Sequence, residues 1–119
     1  MRGVRVFVCC LALALVAAGS AVAAHRTTPK LLASVSDPLN ISLTKGGKKV
    51  TTLKAGTYVI VVQDKAADHN FHLFGPGVKK TTSVAGKGTF RWTVKLRKGK
   101  YTYQCDPHAS FMKGAFTVK

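Results

Sequence analysis

Close to its C terminus the chain reads Tyr103-Gln104-Cys105-Asp106-Pro107-His108-Ala109-Ser110-Phe111-Met112, which sets a thiolate, an imidazole and a thioether within eight positions. All three are soft or borderline metal ligands. Cys105 is expected to end a strand, Pro107 to tighten the turn that follows, and His108 and Met112 to fold back toward the sulfur as the next strand begins. Upstream, Asp68-His69-Asn70-Phe71-His72-Leu73 offers a further imidazole from a distant strand. His69 and His72 are an odd number of residues apart, so on a strand they point to opposite faces and only one reaches the ion. Periodicity does not choose between them. One cysteine, two histidines and a methionine suit copper, because thiolate and thioether stabilise Cu(I) and imidazoles stabilise Cu(II); a trigonal Cys-His-His set with a weak axial Met serves electron transfer. Structural zinc prefers two or more cysteines, and catalytic zinc keeps a water position open and avoids Met. Haem attachment would need C-x-x-C-H, which the chain lacks.

The elements that must carry these residues repeat with period two. Leu39, Ile41 and Leu43 alternate with polar neighbours, and Thr57 to Gln63 is a β-branched run suited to a buried strand. Phe90, Trp92, Val94 and Leu96 alternate with Thr89, Arg91, Thr93 and Lys95, which directs both Phe90 and Trp92 toward the core. Tyr101, Tyr103 and Cys105 share one face of the next strand, and Ala115 to Val118 forms the last. Turn signals at Gly46-Gly47, Ala55-Gly56, Gly75-Pro76-Gly77, Gly86 to Gly88 and Gly99 separate the runs. Without any helical apolar stripe, the expected fold is all-β: a small antiparallel β-sandwich with Greek-key connections.

The first residues lie apart from this pattern. Arg2 and Arg5 precede an apolar run from Val6 to Ala18 and a small-residue stretch ending at Ala23, the plan of a signal peptide over residues 1–23. An uncleaved membrane anchor is the competing reading. Residues 24–31 form a flexible polar lead-in, and residues 32–119 the folded domain. The protein is then exported, to the periplasm or the extracellular space. Cleavage removes Cys9 and Cys10 and leaves Cys105 alone, so no internal disulfide staples the domain and its thiol must be buried or bound. A chain of 119 residues also leaves no room for a Rossmann or barrel enzyme. It carries 19 Lys and Arg against 4 Asp and Glu, a formal charge of +15. Such a charge suits steering toward an acidic redox partner or association with an anionic cell surface; nucleic acid is a poor partner for an exported chain with no binding motif.

The pair of motifs His69-Asn70 and Cys105-Asp106-Pro107-His108 with Met112 before a final strand resembles the cupredoxins of the plastocyanin and amicyanin type, over Leu32 to Lys119. The resemblance implies a Greek-key sandwich with one mononuclear type 1 copper bound by His69, Cys105, His108 and Met112. Asn70, directly after the ligand as in the family, selects His69 and leaves His72 as a surface or packing residue. The loop is C-x2-H-x3-M, intermediate between the plastocyanin and amicyanin spacings. By the same resemblance Asn70 ties the two ligand segments together by hydrogen bonds. Pro107 has no N–H to offer the thiolate. Asp68 and Asp106 read as turn residues.

A site whose strong positions are all filled by protein has no place for substrate, so the chain reads as a monomeric carrier of single electrons between redox proteins, not an enzyme. Electrons would leave through His108, within an apolar patch formed from Pro107, Ala109, Phe111 and Pro76. An exported copper carrier and a metal-free β-sandwich interaction domain are the alternatives.

Overall fold

The computed structural model describes residues 18–119. Most of the expected signal peptide, with Cys9 and Cys10, lies outside the described residues. Residues 18–29 have no regular structure and are exposed. The first strand, β1 (Lys30–Ser36), starts earlier than the boundary expected at Leu32, because Leu31 already belongs to the inward row it forms with Ala33 and Val35, all fully buried. The strands that follow are β2 (Asn40–Lys45), β3 (Lys48–Lys49), β4 (Thr52–Leu53), β5 (Gly56–Asp64), β6 (His72–Gly75), β7 (Val78–Thr81), β8 (Gly88–Leu96), β9 (Gly99–Gln104) and β10 (Lys113–Val118). A one-turn 3-10 helix, Asp106–His108, stands between the last two.

The strands form two five-stranded sheets, in the orders β3-β2-β1-β5-β8 and β4-β10-β9-β6-β7. The all-β sandwich is as expected, but its sheets are mixed: β1 runs parallel to β5, and β10 parallel to β4. Parallel neighbours need a long crossover. Between β1 and β5 the chain passes through β2, β3 and β4, which returns it to the end from which β1 started.

Period-two alternation decides which side chains meet between the sheets. Tyr58, Ile60 and Val62 of β5 face Tyr101 and Tyr103 of β9 and Phe116 and Val118 of β10 in one buried cluster. Stacked rings give it its form, Tyr101 on Phe116 at 5.3 Å and Phe71 on Tyr103 at 5.5 Å between centroids. The expectation for β8 holds only in part. Val94 and Leu96 are buried and Trp92 packs on the margin, but Phe90 is 37% exposed. β8 is an edge strand, so the side chains of its first half have no covering strand on the outer side.

Strand registers define two poles. Asp64, at the end of β5, pairs with Gly88 and Val35, whereas Gly56, at its start, pairs with Leu96. At about 3.3 Å per residue these ends are roughly 26 Å apart. All the metal-site candidates gather at the Asp64 pole.

Two glycines let the tyrosine rings approach the backbone. A Cβ at Gly75 would lie 2.3 Å from the Tyr101 ring, and one at Gly114 2.3 Å from that of Tyr103. Because Tyr101 is fully buried and its hydroxyl donates to the Pro76 carbonyl at 2.8 Å, that ring has nowhere to retreat. Gly75→Ala is therefore expected to lower stability by about 1–3 kcal/mol through overpacking, read by urea denaturation, with an altered tyrosine near-ultraviolet circular dichroism signal.

Candidate metal centre

Cys105 leaves β9 in extended conformation and serves as N-cap of the 3-10 helix, which His108 ends. Backbone hydrogen bonds then close the loop on itself: the N–H of His108 donates to the Cys105 carbonyl (3.1 Å), that of Met112 to the His108 carbonyl (2.8 Å), and that of Cys105 to the Met112 carbonyl (3.0 Å). His69 arrives from the connection between β5 and β6. Its Nδ1 lies 3.1 Å from His108 Nδ1 and 3.6 Å from Cys105 Sγ, and Sγ lies 3.5 Å from His108 Nδ1. Three candidate ligand atoms thus form one small triangle. Cys105 and His69 are buried, His108 is half-buried, and Met112 is buried at the end of the same loop.

Hydrogen bonding prepares the triangle for a cation. His69 Nε2 sits 3.1 Å from the carbonyl oxygen of Pro38. A carbonyl can only accept, so Nε2 is the donor to it, and in the neutral imidazole this leaves Nδ1 as the ligand atom facing the sulfur and His108. Trigonal coordination with metal–ligand bonds of about 2.0–2.3 Å needs ligand atoms about 3.5–3.7 Å apart. The two N···S distances agree, and the N···N distance is tighter. The donor set therefore fits a copper ion held by one thiolate and two imidazoles.

Behind the ligands lies a second layer that the sequence only partly announced. Asn70 performs the tying role: its Oδ1 accepts the Asp106 N–H at 2.7 Å, while its Nδ2 donates to Asp106 Oδ2 at 2.9 Å and to Thr81 Oγ1 at 3.0 Å. Asp106 does more than shape a turn, because its carboxylate also accepts from Gln104 at 3.0 Å and from His72 Nδ1 at 2.9 Å. His72 is accordingly directed away from the triangle and packs against Phe74, with its Nε2 buried and unpartnered. Burial pushes the Asp106 carboxyl up, but the hydrogen bonds from Gln104, His72 and Asn70, with the charge of His72, outweigh it and hold the group below the usual range. Pro107 is exposed in the first turn of the helix, where a missing N–H costs nothing.

Sequence reasoning missed a buried brace. Thr82 Oγ1 donates to Asp64 Oδ2 at 2.7 Å and accepts the Phe71 N–H at 2.8 Å, and the Thr82 N–H donates to the Phe71 carbonyl at 3.0 Å. The brace fixes the segment next to His69 against the end of β5. An acidic residue on the inward row of a strand, Tyr58-Ile60-Val62-Asp64, was the signal that could have revealed it. Asp37 and Asp68 also approach His69 Nε2, at 3.3 and 3.8 Å. Pro76, expected beside His108, lies instead at the opposite pole, packed against Gly99, because β6 carries the chain away from the metal end before the turn.

Two facing sheets with a His-Cys-His triangle at one pole define a cupredoxin. A family model described as copper-binding proteins of the plastocyanin/azurin family matches residues 37–119, and the chain belongs to that family. Its cofactor is one type 1 copper ion. Among solved structures, a reduced rusticyanin superposes with a TM-score of 0.54 at 21% identity, over 76% of this chain and 78% of that one. Rusticyanin from Thiobacillus ferrooxidans gives 0.52 at 23% identity over 76% of each chain. Auracyanin from Roseiflexus castenholzii, in a dithionite-reduced form, gives 0.53 at 20% identity, over 79% of this chain and 99% of that one. These likenesses are of fold. Curated protein sequences give no match.

The brace yields a direct test. Thr82→Val deprives the buried Asp64 carboxyl of the donor to its Oδ2 and the Phe71 N–H of its acceptor, each loss being worth about 1–3 kcal/mol. Urea denaturation of the metal-free protein is expected to show a loss of about 3 kcal/mol. Competitive copper titration is expected to show affinity at least roughly tenfold weaker.

Proposed function

We propose that this chain is an exported carrier of single electrons whose copper is held by His69, Cys105, His108 and Met112. The observation that supports this best is the convergence of the three ligand atoms within 3.1–3.6 Å of one another, with His69 Nδ1 already aimed inward. Copper bound there supplies one-electron Cu(II)/Cu(I) chemistry. The chain's own part is to keep the ligand atoms in place through both states and to exclude water. Asn70 locks the two ligand segments, Thr82 and Asp64 brace the first, and the ring of backbone hydrogen bonds closes the second.

Access to the site is one-sided. His69 is 1% exposed and walled in by the Pro38 segment, whereas His108 is half-buried, with the Phe111 ring at 5.7 Å. Phe111 is 59% exposed, and Leu39, next to Pro38, adds a second exposed apolar side chain at this end. Electrons pass through the His108 edge to a partner seated on this surface. Exposed Asp37, Asp68 and Asp106 lie at this end together with Lys65, Lys87 and Lys113, so most of the positive surplus expected to draw an acidic partner lies away from the electron-transfer edge. The partner fitted to this edge has an apolar centre and a polar rim of mixed charge. Among the described residues no helix is long and apolar enough to cross a membrane, and export rests on the leader sequence at residues 1–23.

Addition of one equivalent of Cu(II) to the protein is expected to give an intense visible thiolate-to-copper band that bleaches on reduction and is absent from Cys105→Ser. A pale spectrum indifferent to Cys105 would remove the ligand assignment and turn attention to copper carriage. With the site established, Phe111→Asp is expected to slow electron transfer to the native partner at least roughly tenfold, the effect of losing an aromatic interface anchor, while leaving the spectrum unchanged. Unaltered stopped-flow rates would refute the docking surface.

A further inference from the structure

Charge is distributed over the fold with a clear polarity. All four carboxylates sit at the metal pole: Asp37 and Asp68 beside His69, Asp106 beside Cys105, and Asp64 at the adjoining end of β5. Cations gather at the other pole. Arg26, Lys45, Lys48, Lys49 and Lys54 line a cleft of about 780 Å³ at the Gly56 end of β5, with threonine hydroxyls between them and no acidic residue in its walls. Arg97, Lys98 and Lys100 follow at the same end, where β8 turns into β9. The ion pairs among the described residues are all made by histidines, so nothing internal offsets the repulsion within this basic pole. An anionic partner would relieve it.

The composition of the pole says which kind of partner fits. Protein interfaces are enriched in aromatic residues and Arg and depleted of Lys. Here lysine predominates, and the exposed aromatic side chains, Phe90 and Phe111, belong to the metal half. Flexible lysines spread over a hairpin, a linker and a turn suit a diffuse layer of lipid phosphates, which needs charge near the surface but no shaped pocket. The lead-in adds Arg26 to this basic wall.

We propose that the pole opposite the metal is a docking face for anionic phospholipid headgroups, which holds the His108 edge away from the membrane plane. The inference rests on charge placement and is independent of the ligand assignment.

The test is co-sedimentation of the copper-loaded exported protein with phosphatidylglycerol or phosphatidylcholine vesicles. Binding is expected to the anionic vesicles alone, with release at high salt. Each lysine near such a surface contributes about fivefold to partitioning, so K45Q/K48Q/K49Q is expected to weaken binding on the order of 100-fold and K98Q/K100Q about 25-fold, each with an unchanged visible spectrum. K65Q/K87Q/K113Q removes as much charge from the metal pole and is expected to have a much smaller effect. Equal losses for the two triple variants would reduce the effect to net charge and overturn the assignment. So would failure to bind anionic vesicles, or capture by soluble polyglutamate in their place.

Discussion

The side-chain amide of Asn70 meets Asp106 twice, through a backbone N–H and through a carboxylate, across a separation of 36 residues. That clasp ties the connection carrying His69 directly to the loop carrying Cys105 and His108. Other features serve the same end. Hydrogen bonds from Gln104 and His72 keep the Asp106 carboxylate ionised as an acceptor. Thr82 and Asp64 hold the neighbouring backbone in register with β5, and the Pro38 carbonyl sets the His69 tautomer. Two imidazole nitrogens and a sulfur face one another only because hydrogen bonds formed elsewhere fix their positions.

Much of this was legible in the chain because the relevant signals are local. Alternation over Phe90 to Leu96 and the row Tyr101, Tyr103, Cys105 reveal strands and their inward faces, and the spacing of Cys105, His108 and Met112 describes one loop. What was not legible depends on long-range pairing. Parallel contact between β1 and β5 is set by the route of the intervening chain, which no residue of either strand encodes. Phe90 reads as inward until β8 is known to be an edge. Pro76 reads as a neighbour of the site until β6 is seen to lead away from it. For His72, the odd offset from His69 states that the two part company, but not that Asp106 waits on the other side.

Net charge illustrates the same limit. A total of +15 says that the molecule will be drawn to anions. It does not say with which end. The registers of β1, β5 and β8 separate the acids from most of the bases along the strand direction, so the densest positive charge lies at the end away from the His108 edge.

The ring of backbone hydrogen bonds linking Cys105, His108 and Met112 has a further consequence. The segment closes on itself as well as on Asn70 and the core, and Ser110 within it is exposed and outside the hydrogen-bond network. Variation can therefore accumulate at that position with little effect on folding. The fold thus behaves as a durable chassis with a replaceable tip, so that the surface beside His108 can change while the two-sheet body stays the same.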